Sequence, residues 1–99
     1  MKILALEHEV PGTPAAAFTP ALLRAEAARV WELQQSGALR EIYFRGDRSE
    51  AVLILECADA AEAERVLATL PLVRERLIVF ELIPLKPYPG LKRLFGNTG

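Results

Sequence analysis

Between Trp31 and Phe95 the chain passes through the end of a helix, a hairpin, a second helix, a Leu70-Pro71-Leu72 corner, a last strand and a proline-rich tail. That order constrains the fold more than any other feature. It describes a small α+β sheet with too few helices to cover both of its faces. The excess apolar surface then has to meet a partner, and a partner surface is the first thing the pattern implies.

The individual elements follow from local signals. Residues 2–10 are apolar on both parities, with Ile3 and Ala5 on one side and Leu4 and Leu6 on the other. A strand of that kind is covered on both faces. Pro11-Gly12-Thr13-Pro14 ends it, and residues 11–20 carry three prolines and no helical stripe, so they form a loop. Thr19-Pro20 fits a helix cap followed by proline at the first helical position, which predicts a helix over 20–36. Its stripe is Leu23, Ala27, Val30 and Gln34, flanked by Glu26, Trp31 and Leu33. Gly37 supplies a left-handed helix end.

Strands are expected at 38–45 and 51–57, around the turn Gly46-Asp47-Arg48-Ser49-Glu50. Simple alternation places Leu39, Glu41, Tyr43 and Arg45 on one face of the first and Arg40, Ile42 and Phe44 on the other. Asp59 and Glu62 have the spacing of a capping box, and a helix over 60–70 follows until Pro71 stops it. Residues 77–83 are the fourth strand. The tail at 86–99 holds prolines but also Tyr88, Leu91, Leu94 and Phe95. A disordered segment is poorer in such groups, so the tail is expected to pack on the domain, which spans 1–85, or on a partner subunit.

The order β-α-β-β-α-β is the ferredoxin-like arrangement, a four-stranded antiparallel sheet with two helices on one face. Its other face remains partly apolar here. Pairing two sheets would cover it, and a stable interface buries about 1,600 Å² in total. The chain has 99 residues, enough for one domain, and 52% of them are hydrophobic. Twelve basic and thirteen acidic residues leave a net charge of −1, which argues against nucleic-acid binding. No apolar run reaches the roughly 18–20 residues of a membrane span, and the amino-terminal stretch is too short for a secretion signal. Cys57 is the only cysteine, so no internal disulfide is expected and the cytoplasm is the default location. One histidine and one cysteine offer no metal cluster, and no glycine-rich phosphate loop is present, so no cofactor is expected.

The segments Trp31–Gly37 (WELQQSG), Leu39–Arg45 (LREIYFR), Leu53–Cys57 (LILEC), Ala63–Leu72 (AERVLATLPL) and Ile78–Leu85 (IVFELIPL) resemble the muconolactone isomerase family within the dimeric α/β-barrel superfamily. The helix that ends in Leu70-Pro71-Leu72 just before the last strand is the most specific of these. The resemblance implies a dimeric α/β barrel that assembles into larger oligomers. It also implies cofactor-independent transfer of a proton from one carbon of a lactone to another. Arg40 stands where the isomerase pattern also carries arginine. Glu41 and Phe44 differ from that family's more basic, histidine-containing hairpin.

Site candidates are polar groups near the space between helices and sheet. Glu26, beside the helical stripe, suits a base made stronger by burial, or else an edge carboxylate paired with a surface arginine. His8, the only histidine, suits proton transfer near neutral pH, or else sits at the surface or a dimer seam. Glu7 and Glu9 lie on the parity opposite His8, where one of them could face the pocket. Arg40 could hold a substrate anion, or pair with Glu41, Glu56 or Glu81. Tyr43 and Trp31 could shape an apolar cavity, or serve as core or interface aromatics. Cys57 reads as a buried, inert thiol. Two functions therefore stand side by side. One is an isomerase-like enzyme on a small organic acid or lactone, with Glu26 or His8 moving the proton. The other is a non-catalytic ligand-binding or assembly module of the same dimeric fold.

Overall fold

The computed structural model describes residues 1–96 of the 99. The elements are β1 (Lys2–Glu9), α1 (Pro20–Ser36), β2 (Leu39–Phe44), β3 (Ala51–Glu56), α2 (Ala60–Leu67), α3 (Pro71–Arg74) and β4 (Ile78–Pro84). Single turns of 3-10 helix at Ala15–Ala17 and Gly90–Leu94 interrupt the loop and the tail, where no regular element was expected. The sheet order is β2-β3-β1-β4, with every neighbouring pair antiparallel. This is the expected α+β, ferredoxin-like sheet.

The expected caps do their work. The Thr19 hydroxyl accepts the Leu22 N–H at 3.2 Å, Pro20 opens α1, and Gly37 ends it at φ +86°. The Asp59 carboxylate accepts the Glu62 N–H at 2.8 Å at the start of α2. The second helix, however, ends at Leu67 rather than continuing to 70. Pro71 does not close a helix; it occupies the first turn of the short α3, where its missing N–H costs nothing.

One side of the sheet carries the core. Ile3, Leu39, Leu53, Leu55, Leu70 and Ile78 are its largest fully buried side chains, with Ala63 and Leu67 of α2 and Leu33 of α1 above them. Leu39 reaches this side because the register slips between Leu39 and Glu41. Arg40 is the extra residue of that bulge. Leu39 therefore shares a face with Ile42 and Phe44, and Glu41 and Tyr43 point the other way. Strict alternation misassigned Leu39, since a bulge inverts parity on one side of itself.

The opposite side holds Leu4, Leu6, Val52 and Ile54 at its centre, all half-buried, with Tyr43 and Val79 exposed towards the edges. Both faces of β1, β3 and β4 are thus apolar in part, as their sequences imply. The tail leaves the sheet after the Leu85 N–H bonds the Lys2 carbonyl at 2.9 Å. Beyond it Tyr88, Leu91, Leu94 and Phe95 are between 58% and 81% exposed, so within one chain they do not pack on the domain. The last part of the tail, residues 97–99, lies outside the described residues.

Leu55 tests the core directly. It is fully buried between β1 and β2 neighbours, so Leu55→Ala should lose about 2–5 kcal/mol of unfolding free energy. Urea denaturation followed by circular dichroism measures this; a loss below about 1 kcal/mol would mean that the site collapses freely.

Candidate active site

Helix α1 contributes only Leu33 to the buried core. Val30 of its apolar stripe is partly buried against that core, while Leu23, 46% exposed, and the flanking Trp31, 63% exposed, stand away from it. A cleft of about 560 Å³ opens between α1 and the sheet. Its helical wall carries Leu23, Glu26, Ala27, Val30, Trp31 and Gln34. Its sheet wall carries Glu7, Ile42, Phe44, Ala51, Leu53 and Phe80, and Phe18, Leu70 and Leu72 contribute from the connecting segments. The stripe that looks like core in sequence lines an open, aromatic-rich cavity instead.

Two tethers hold α1 at that distance. The Glu26 Oε1 accepts the Leu72 N–H at 3.0 Å, and the Arg29 Nε donates to the Thr69 hydroxyl at 2.9 Å. Leu72 belongs to the first turn of α3, where Pro71 has no N–H and the Val73 and Arg74 N–H groups both bond the Leu70 carbonyl at 3.0 Å, so the Leu72 N–H is left for a partner outside the helix. Glu26 therefore ties α1 to the corner that carries α3. Across the cleft the Glu7 Oε1 accepts the Ala51 N–H at 3.1 Å.

These two carboxyls are the site's distinctive groups. Burial pushes the Glu26 carboxyl above its ordinary value, and the Leu72 N–H only partly offsets this. Burial also raises Glu7, opposed by the Ala51 N–H and reinforced by the negative charges of Glu50, Glu26 and Glu9. Both groups hold a proton more readily than a solvated glutamate would. Glu9, at the end of β1, lines the same cleft.

The other sequence candidates lie elsewhere. His8 is on the far side of the sheet, its Nε2 at 3.2 Å from the Glu81 Oε1. Tyr43 is also there, donating its hydroxyl to the Glu41 Oε1 at 2.7 Å, and that carboxylate raises the phenol's affinity for its proton. The Arg40 Nε donates to the Gly37 carbonyl at 2.7 Å, at the foot of α1. None of the three lines the cleft. The structure brings Glu26 and Trp31 together and leaves His8, Arg40 and Tyr43 outside.

Of Glu7 and Glu9, one of which the parity of β1 allows to face the pocket, both line the cleft, and Glu7 is the more buried. Its signal was present: Glu7 shares parity with Ile3 and Ala5, the core-facing residues of β1. Cys57 is buried, and burial together with the Glu62 charge raises its thiol, as befits an inert side chain.

The carboxyls make a pH prediction. Both bind a proton more tightly in the folded chain than in the unfolded one, whose value is near 4.5. Stability therefore falls as pH rises from that value through the higher folded values. Glutamine keeps an acceptor for the backbone N–H without the charge. Glu7→Gln and Glu26→Gln should each melt at a higher temperature than wild type at pH 7, with the gap closing towards pH 4. A lower melting temperature at pH 7 would contradict the burial penalty.

Comparison with solved structures places the fold among known ones. The chain is similar to muconolactone isomerase, with a TM-score of 0.70 and 19% identity over 91% of this chain and 93% of that one. It is also similar to 5-chloro-2-hydroxyhydroquinone dehydrochlorinase from Burkholderia phenoliruptrix, solved in complex with 2,5-dihydroxybenzoquinone. There the TM-score is 0.67, with 16% identity over 87% of this chain and 94% of that one. At such identities the likeness establishes the fold alone. No curated protein sequence matches the chain. The family model for muconolactone delta-isomerase matches residues 3–90, most of the 99-residue chain, and the chain therefore belongs to the muconolactone delta-isomerase family.

Proposed function

We propose that this protein catalyses a cofactor-independent proton shift on a small unsaturated lactone or related ring compound. The observation that carries the reading is the pair Glu7 and Glu26, two half-buried carboxyls on opposite walls of one apolar cleft, both with raised proton affinity. A base with a value nearer neutrality is the kind of group that takes a proton from carbon and returns it. One carboxylate removes a proton from the ring carbon beside the carbonyl and becomes a carboxylic acid. The electrons left behind form a dienolate across the ring. A carboxylic acid then protonates the far carbon, and the double bond has moved with no net change in atoms. Walls on both sides allow one group to serve both ends or the two to share the work. The apolar lining lowers the polarity around the dienolate.

The test uses α-angelica lactone, a neutral unsaturated lactone whose conversion to the β isomer is such a shift. Wild type should accelerate it, and should exchange ring hydrogen for deuterium in D2O, both followed by NMR. Glu26→Gln and Glu7→Gln should lower the rate by about 10²-fold or more. Activity unchanged in both variants would remove the carboxyls from the mechanism. Ring binding by wild type without isomerisation or exchange would favour the non-catalytic ligand-binding module.

The assembly is part of the same proposal. The apolar sheet face at Leu4, Leu6, Val52 and Ile54 suits a second copy of the chain, sheet against sheet, and the exposed tail suits a neighbouring subunit. Sedimentation should show a dimer or a multiple of one. Ile54→Arg should shift it towards monomer while the circular dichroism spectrum is kept, and truncation after Leu85 should weaken association. A monomeric wild type would refute the assembly.

A further inference from the structure

The charges around the cleft say more about its ligand than the family does. We propose that the cleft takes an uncharged, ring-sized molecule, favours one that donates hydrogen bonds, and rejects the corresponding carboxylate. This rests on the cleft being the ligand site of the function proposed above.

Glu7 and Glu9 approach from the sheet and Glu26 from α1, so carboxylates stand on both walls. Among the described residues that line the cleft, none is lysine, arginine or histidine. Arg24 of α1 is exposed and does not line the cleft, and three other guanidinium groups near α1 and β2 bond elsewhere. Arg29 bonds Thr69 and Glu32, Arg45 bonds Asp47 through two nitrogens, and Arg40 bonds the Gly37 carbonyl. An anion entering this space would lose water without gaining a cation, and would face charges of its own sign.

A neutral donor meets the reverse situation. Glu7 and Glu26 each give Oε1 to a backbone N–H, which leaves Oε2 of each available to an incoming O–H or N–H. Phe18, Trp31, Phe44 and Phe80 supply aromatic walls, and about 560 Å³ suits a single ring with small substituents. Arg40, the cation that the sequence offers for an anionic ligand, lies outside the cleft.

Trp31 is the chain's only tryptophan and lines the cleft, so its fluorescence reports occupancy. Benzamide and benzoate are nearly the same size and differ in charge and in N–H donors. At pH 7, benzamide should bind wild type at least about tenfold more tightly than benzoate. In Glu7→Gln/Glu26→Gln the benzoate penalty should shrink to within about threefold, and each single variant should lie between. Benzoate binding as tightly as benzamide would overturn the proposal, as would a preference that both glutamines leave unchanged. Failure of both probes to perturb Trp31 would overturn it too, since the cleft would then take no ring. The readout is binding and not turnover. A protein that prefers benzamide but leaves α-angelica lactone untouched keeps this inference and loses the proton-shift reading. One that isomerises the lactone but binds benzoate equally does the opposite.

Discussion

The tie between α1 and the α3 corner governs the rest of the structure. A helix with an apolar stripe would ordinarily settle onto the sheet and close the gap. Here Leu33 anchors it in the core while the Glu26 carboxylate and the Arg29 guanidinium fasten it sideways to Leu72 and Thr69. The stripe between those fixings lines space. Desolvation that would be a pure cost in a packed core becomes, at Glu26, the source of its raised proton affinity. The Glu26 bond thus both fastens α1 beside the cleft and carries the chemistry of one of its walls.

The other wall follows from β1. Its core-facing residues run Ile3, Ala5, Glu7, Glu9. The first two are fully buried under α2 and its neighbours, and the last two emerge where that cover ends and the cleft begins. The same strand turns Leu4 and Leu6 to the far side, where no helix of its own chain reaches. A two-sided strand at the centre of the sheet therefore couples two properties. It carries an acid into the cleft and leaves apolar surface for a partner. In a chain of this size that surface is a substantial part of what can be buried.

Much of the fold was legible because it is written in local chemistry. Thr19-Pro20, Gly37 and the Asp59–Glu62 pair fix helix ends through bonds spanning a few residues, and all behave as their spacing implies. The bulge at Arg40 was not legible. It arises from fitting β2 to β3 across the hairpin, and no residue within β2 announces it. The site was legible in part. Glu26 and Trp31 lie on the helical stripe and reach the cleft with it. Parity placed His8 with Leu4 and Leu6, and that is the side away from the cleft. Parity allowed Glu7 or Glu9 to face the pocket but could not decide it, because a charge near a strand end is more often in water, and only the position of α1 shows that both line the cleft.

The sequence by itself determined the order of elements, their caps, the four-stranded antiparallel sheet and the two apolar sides of its strands. These depend on periodicity and short-range hydrogen bonds, which a chain carries wherever it goes. The tertiary structure alone decided that the α1 stripe borders a cavity, that Glu7 and Glu26 face each other's space, and that His8, Arg40 and Tyr43 do not. Those facts depend on the distance between elements far apart in the chain. That distance is set by long-range contacts such as Glu26 to Leu72, which no local pattern encodes.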